Sequence, residues 1–285
     1  MRARCDKRGY LYVLPAVILV AVFSYYPFIK AFISSFFIEN QLGEITEFVG
    51  LENYKALFSN DFFIQSVKTT FLLSVIFVPV NTILTLAAAS FVRRKTRYNE
   101  LIGALYIIPL AFSMSLLALI FKQIFNPVNS IINRVFNLDI VWLNDRTSAI
   151  IAIVVLCVFL DFALDYILLL SAFRKIERNI IEASLIDGAN EAQRYFRIEL
   201  PLIVPTLTMT IFIALKDVLL ISAPIMLMTE GGPFRSTESV MFYYYIEAFR
   251  GHNKAAESTI SSITVIFSSL LLIVYSLIQK RRRHA

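Results

Sequence analysis

Residues 148–173 read S-A-I-I-A-I-V-V-L-C-V-F-L-D-F-A-L-D-Y-I-L-L-L-S-A-F, with Asp161 and Asp165 as the only charged side chains. A helix rises about 1.5 Å per residue, so roughly 20 apolar residues cross a hydrocarbon core of about 30 Å. A helix also pairs its backbone polar groups internally, as lipid demands. The stretch therefore predicts a transmembrane helix. Runs of the same kind precede it at 11–37, 69–92 and 101–125 and follow it at 202–228 and 258–278. The expected fold is all-α: one polytopic transmembrane domain over 1–285 with six spans.

Composition agrees with a chain that lives in lipid. Of 285 residues 58% are hydrophobic and 17% charged, and the mean hydropathy is +0.69, well above a soluble domain. Eight Gly and nine Pro leave no room for a linker or a low-complexity tail. Cys5 and Cys157 form neither a disulfide framework nor a metal-ligand spacing. The net charge of +6 does not point to nucleic acid, because the basic residues flank apolar spans instead of forming one patch interleaved with aromatics.

Those basic residues give a direction. Arg2, Arg4, Lys7 and Arg8 precede the first span; Arg93, Arg94, Lys95 and Arg97 follow the second; Arg174, Lys175, Arg178, Arg194 and Arg197 lie between the fourth and fifth; Lys280 to Arg283 end the chain. Lys and Arg concentrate on connections that stay in the cytoplasm, so both termini and the 174–201 loop are expected there. The first span is too long, and lacks the small-residue cleavage site, for a removed signal peptide. On the opposite side Leu51, Tyr54, Leu57, Phe58 and Phe62 recur at helical spacing, as in an interfacial helix that braces the domain or meets an outside partner.

Catalytic and metal-binding residues are not expected. The phosphate-cradling string G-x-x-x-x-G-K-[ST] is absent, and His252 and His284 are the only histidines. Whatever drives this protein must enter through a partner, an ion gradient or simple diffusion, and only the cytoplasmic loops can receive a cytoplasmic motor. The longest of these, 174–201, runs through helix formers to Glu182-Ala183-Ser184-Leu185-Ile186-Asp187, where Gly188 suits a left-handed C-terminal cap. A second short helix is predicted from Asn190, ending before Pro201.

This loop resembles the E-A-A-x3-G-x9-I-x-L-P motif of binding-protein-dependent ABC importer permeases. Glu182, Ala183, Ser184, Gly188, Ile198, Leu200 and Pro201 fall at the matching spacing, with Ser184 replacing the second Ala. The resemblance implies that Glu182, Ala183, Ser184, Leu185, Ile186 and Gly188 form a coupling element that docks on a separate ATPase. It extends over nearly the whole chain toward the carbohydrate-type permeases for maltose, oligosaccharides and glycerol phosphate. Leu14-Pro15 with Tyr26-Pro27, Gly50 to Tyr54, Ile108-Pro109 and Met228 to Pro233 carry it. Phe159 to Ala163, where that branch has Trp and Gly, and Glu177, where it often has Pro, depart from it.

The resemblance further implies a second, homologous but different permease, two cytoplasmic ATPase subunits holding ATP and Mg, an extracytoplasmic solute-binding protein, and location in the cell (inner) membrane of a bacterium or archaeon. No cofactor is expected in this chain. Ionisable groups inside a span are costly and face the protein interior or a watery cavity. Asp161 and Asp165 share one face of the fourth span, and Lys216 and Asp217 lie near the middle of the fifth. With Phe159, Phe162 and Tyr166 they are candidates for a solute path, hydrogen bonding and stacking on a hydroxyl-rich ligand. Two other readings stay open: a Lys216 ion pair with Asp161 or Asp165 that only fixes packing, and a proton relay in a gradient-driven carrier, for which the chain shows no obvious inverted repeat.

Overall fold

A computed structural model of the protein describes residues 8–40 and 45–283. The chain divides into two compact units. One holds the described residues up to Asp61 with Tyr244–Leu271; the other holds Phe62–Tyr243 with the described residues from Leu272 onward.

In the first unit, α1 (Arg8–Val20) continues through a π turn at Ala21–Tyr25 into α2 (Tyr26–Ser34). The helix widens where Pro27 is about to remove a backbone donor, and the Tyr26 N–H reaches back to Ala21 O. A two-stranded antiparallel hairpin follows, β1 (Phe37–Glu39) with β2 (Ile45–Phe48), pairing Phe37 with Phe48 and Ile38 with Glu47. Asn53 donates to the carbonyls of Ser35 and Phe37 at 3.0 Å each, and Ser35 Oγ lies 2.7 Å from Tyr54 OH. These bonds seat α3 (Glu52–Phe58). A helix thus forms in this segment but is shorter than its apolar spacing implied: Phe62 belongs to the next helix, and Leu57 is buried while Leu51 and Phe58 are exposed.

The second unit takes in almost all of α4 (Asp61–Val92), followed by α5 (Arg97–Leu105), a 3-10 turn at Ile108–Ala111, α6 (Met114–Ile124), α7 (Ile131–Phe136) and α8 (Arg146–Arg174). After α8 come α9 (Arg178–Ile186), α10 (Glu191–Arg194), a π turn at Tyr195–Glu199, α11 (Leu200–Leu219) and α12 (Ala223–Met228). The chain goes on through α13 (Val240–Tyr245), a third π turn at Ile246–Arg250 and α14 (Lys254–Arg283), of which Tyr244–Leu271 belong to the first unit. The core of the second unit joins Ala89 and Val92 of α4, Tyr166, Leu169 and Phe173 of α8 and Ile203 of α11. α8 starts at a well-made cap, where Asp145 Oδ2 accepts from the N–H groups of Thr147 and Ser148 at 3.1 and 3.2 Å.

Among the described residues, five helices are long and apolar enough to cross a membrane. They match the first, second, fourth, fifth and sixth predicted spans, and α4 begins eight residues before position 69 because the hydrophobic pattern reads only the lipid-embedded part of a helix. The third span, predicted as one helix over 101–125, is instead broken. Pro109 lacks an N–H, Phe112 turns extended at ψ 144°, and Ser113 caps a new helix by accepting from the Leu116 N–H at 3.3 Å. The fifth, predicted over 202–228, is also two helices, parted at residues 220–222. There Ser239 donates its hydroxyl to Ile221 O and accepts from the Phe242 N–H at 3.1 Å. Backbone left open at membrane depth must be satisfied by protein or water, and this side chain supplies the partner of the Ile221 carbonyl.

Candidate functional site

The break after α11 opens a cavity of about 330 Å³. Asp161, Cys157 and Leu160 of α8 line it, with Phe77 of α4, Met114 of α6, Asp217 of α11 and the turn Leu220 to Pro224. Each wall has a local cause: Met114 opens the helix that Ser113 caps, and Pro224 starts α12 as its second residue, where a missing N–H costs nothing. Asp161 and Asp217 thus present carboxylates to a mostly apolar chamber, an arrangement able to accept hydrogen bonds from hydroxyl groups.

The other candidates from the sequence divide clearly. Asp165, 2% exposed, accepts from Asn81 Nδ2 at 2.7 Å. Lys216 pairs with its neighbour Asp217, Nζ to Oδ1 2.6 Å, and is half exposed. No bond joins Lys216 to Asp161 or Asp165 among the described residues. Phe162 and Tyr166 stack at 6.1 Å and both meet Tyr106 edge-on, at 5.5 and 5.2 Å, so they pack in the core. Tyr166 also explains Gly103, where an added Cβ would sit 2.8 Å from its hydroxyl. Phe159 contacts Phe121 at 5.3 Å. Sequence reading missed Asn81, although it is the only side-chain amide in the 69–92 run, and it gave Cys157 and Met114 no role in the chamber.

The loop between α8 and α11 is a closed piece of local structure. Arg178 Nε donates to Glu182 at 2.7 Å along α9, and the buried Ser184 donates to Ile181 O at 2.6 Å. Gly188, at φ +78°, ends the helix with Ala189 N–H on Ser184 O at 3.0 Å and Gly188 N–H on Leu185 O at 3.1 Å, the paired bonds of a Schellman cap. A Cβ there would meet nothing within 4 Å, so the glycine answers to backbone conformation and not to space. Asn190 and Gln193 then form a reciprocal capping box at 2.8 and 3.0 Å. Leu185 and Ile186 project outward, 55% and 86% exposed, beside the exposed Glu182 and Ala183.

One detail corrects the sequence expectation. The second helix does not end before Pro201 but runs unbroken from Glu191 to Leu219. Pro201 has no N–H to give, and the helix widens into the π turn Tyr195–Glu199 just before it, with the Leu200 N–H on Tyr195 O. The second helix of the loop and the first part of the fifth span are therefore one rod.

Membrane-crossing helices around a part-polar chamber, with an exposed connecting helix rigidly capped, define a multi-pass transport permease. The chain belongs to the family of binding-protein-dependent transport system inner membrane components, which matches residues 81–282. It is 28% identical to the sn-glycerol-3-phosphate transport system permease protein UgpA of Yersinia enterocolitica, over 98% of this chain and 97% of that one. It is equally 28% identical to the multiple sugar-binding transport system permease protein MsmF of Streptococcus mutans, over 96% and 95%. A chain of a bacterial alginate ABC transporter, crystallised with an alginate pentasaccharide-bound periplasmic protein, shares the fold at TM-score 0.78 and 22% identity, covering 95% of this chain and 92% of that one. A chain of the MetNI methionine ABC transporter does so at 0.59 and 15%, covering 81% and 98%. The family read from the 174–201 loop is borne out, and with it a transport permease of the cell membrane in place of a gradient-driven carrier.

Proposed function

We propose that this chain is one of two membrane-spanning subunits of an ATP-driven importer that carries a sugar or sugar-like solute into the cytoplasm. The observation that carries this reading is the docking element: a short helix with exposed Glu182, Ala183, Leu185 and Ile186, stopped by the Gly188 cap and fused to the rod Glu191–Leu219. An apolar knob on a rigid lever suits the groove of a second protein, and its displacement would tilt α11. The motor is a pair of separate ATPase subunits that hold ATP and Mg. A different homologous permease completes the pathway, and an extracytoplasmic binding protein delivers the solute. The names of the sugar and glycerol-phosphate relatives support this solute class. In the membrane the solute is met by the Asp161 and Asp217 carboxylates.

The reading is tested with Gly188→Pro and Glu182→Lys, in cells that carry the chain with its partner subunits. Pro removes the left-handed cap geometry, and Lys reverses a charge on the docking face. Both variants are expected at normal membrane levels with ATP-driven uptake of a panel of labelled sugars and sn-glycerol 3-phosphate abolished. Parental uptake by either variant would refute the docking role. Labelling of Glu182→Cys by a membrane-impermeant reagent in intact cells would refute the orientation.

A further inference from the structure

At the C-terminal end of α4, a carboxylate sits where the sequence shows only scattered charge. Glu199, 4% exposed, closes the π turn between the docking segment and α11. Its two oxygens meet two guanidinium groups: Arg194 Nε at 2.9 Å, from its own rod, and Arg93 Nε at 2.8 Å, from the residue that follows α4. Arg93 has further partners. It also donates to Ser90 O at 2.6 Å and to Glu191 at 3.2 Å, and its guanidinium lies 5.3 Å from the centre of the Tyr195 ring. Tyr195 in turn bonds Ser90 through its hydroxyl at 2.8 Å and stacks on Phe173 of α8 at 6.2 Å.

A buried carboxylate is tolerated only when it is paired, and removing one partner leaves an uncompensated buried charge. The Arg93–Glu199 contact is an ion pair without a hydrogen bond to that carboxylate oxygen among the described residues, and with the Ser90–Tyr195 and Arg93–Glu191 hydrogen bonds it joins α4 to the rod. The docking helix is held differently, since its Arg178–Glu182 and Ser184–Ile181 bonds lie within it. Ile181 nevertheless closes one side of a cavity of about 170 Å³ whose other walls include Arg93, Arg194 and Glu199. Farther along α4 lie Asn81, which holds Asp165, and Phe77, which lines the Asp161 chamber.

We infer that Glu199 is a positioning residue that makes α4 and the Glu191–Leu219 rod move as one body. A displacement of the docking helix then reaches the Asp161 chamber from two walls, α4 and α11. This inference rests on the docking role proposed above. It adds a second output helix and names the joint.

The test uses the assembled importer in lipid nanodiscs, with Cys5→Ser and Cys157→Ala as background. Spin labels at Lys95→Cys and Arg197→Cys, both exposed, report the distance between the end of α4 and the rod. In the parent that distance is expected to be the same without nucleotide and with ATP and vanadate. Glu199→Gln and Arg93→Gln each remove the cross-helix ion pair, and each should give a second distance population with ATP and vanadate. Arg194→Gln removes a buried partner of the same carboxylate but cuts only a bond within the rod, so it should stay parental. A merely structural role would move all three alike, and that result would overturn the inference. So would a parental distance that shifts with nucleotide, or a single distance in both cutting variants. If one of these fails to assemble, the other carries the test. A separate label at Leu185→Cys checks the docking role: if it stays as mobile in the complex as in the isolated chain, that reading falls and this one with it. If it is immobilised while the Lys95–Arg197 result fails, only the joint is wrong.

Discussion

In the loop between α8 and α11, almost every turn is closed by a neighbour in sequence: Arg178 with Glu182, Ser184 with Ala189, Asn190 with Gln193. The chamber at Asp161 is assembled the other way, from α4, α6, α8, α11 and the turn into α12, and it exists because two predicted spans are interrupted. The contrast separates two kinds of legibility. A local motif announces itself through spacing, whereas a cavity depends on where helices stop, and hydrophobicity continues across those stops.

The sharpest way to break this contrast is at the chamber. Asp161→Asn keeps the volume and removes the charge in a site with room around it, so membrane level and thermal stability are expected to hold. Uptake should fall by about tenfold or more, the scale of one lost charge-assisted hydrogen bond. Lys216→Met should insert normally both alone and with Asp161→Asn, because Lys216 pairs with the part-exposed Asp217. Full uptake by Asp161→Asn would assign the chamber to packing.

A second, smaller effect lies one turn away. Asn81→Ala strands the buried Asp165 carboxylate, whose other oxygen already has no hydrogen-bond partner among the described residues. The expected loss is about 1–3 kcal/mol in a detergent unfolding assay, with the double variant Asn81→Ala, Asp165→Leu partly restored. If the single variant is as stable as the parent, the α4–α8 bond is not a support of the chamber wall.

The smallest effect belongs to a purely local device, the Asp145 cap of α8. The Ser148 N–H, ahead of that of Thr147, holds this carboxyl below the usual aspartate range. A lowered folded value means that the cap contributes its stability above the unfolded value of about 3.9 and loses it as the pH falls through the lower folded one. Asp145→Ala should therefore reduce thermal stability slightly at pH 7, and the gap to the parent should close as the pH drops below about 4. A gap that is unchanged by acid would mean that the carboxylate does not act as the cap.

Much of this was readable beforehand, for physical reasons that differ by residue. Long apolar runs have one stable outcome in lipid, so five spans were visible, and Gly188 was legible because a left-handed cap excludes nearly every other residue. Pro109 and Pro224 were visible as letters but not as breaks, since a proline inside a membrane helix can also be carried through, as Pro79 is in α4. Asp165 and Tyr166 resembled chamber residues because one helical face serves both core and cavity. Their true neighbours, Asn81 and Gly103, lie on other helices. The Arg93–Glu199 joint escaped for the same reason, with its halves far apart in the chain.

The hydroxyl of Ser239, the partner of the Ile221 carbonyl, also ties the neck of the loop that runs from Ser222 to Glu238. Within it Thr229 and Thr237 meet through their hydroxyls at 2.7 Å, and Thr237 reaches Gly232 O at 2.8 Å. A loop pinned twice at its base can change length at its tip cheaply, because each doubling of length adds only about 0.6 kcal/mol of closure cost. The exposed tip around Phe234 is thus a natural insertion point: an epitope or a fluorescent reporter placed there would leave the chamber turn Leu220 to Pro224 held by the same neck.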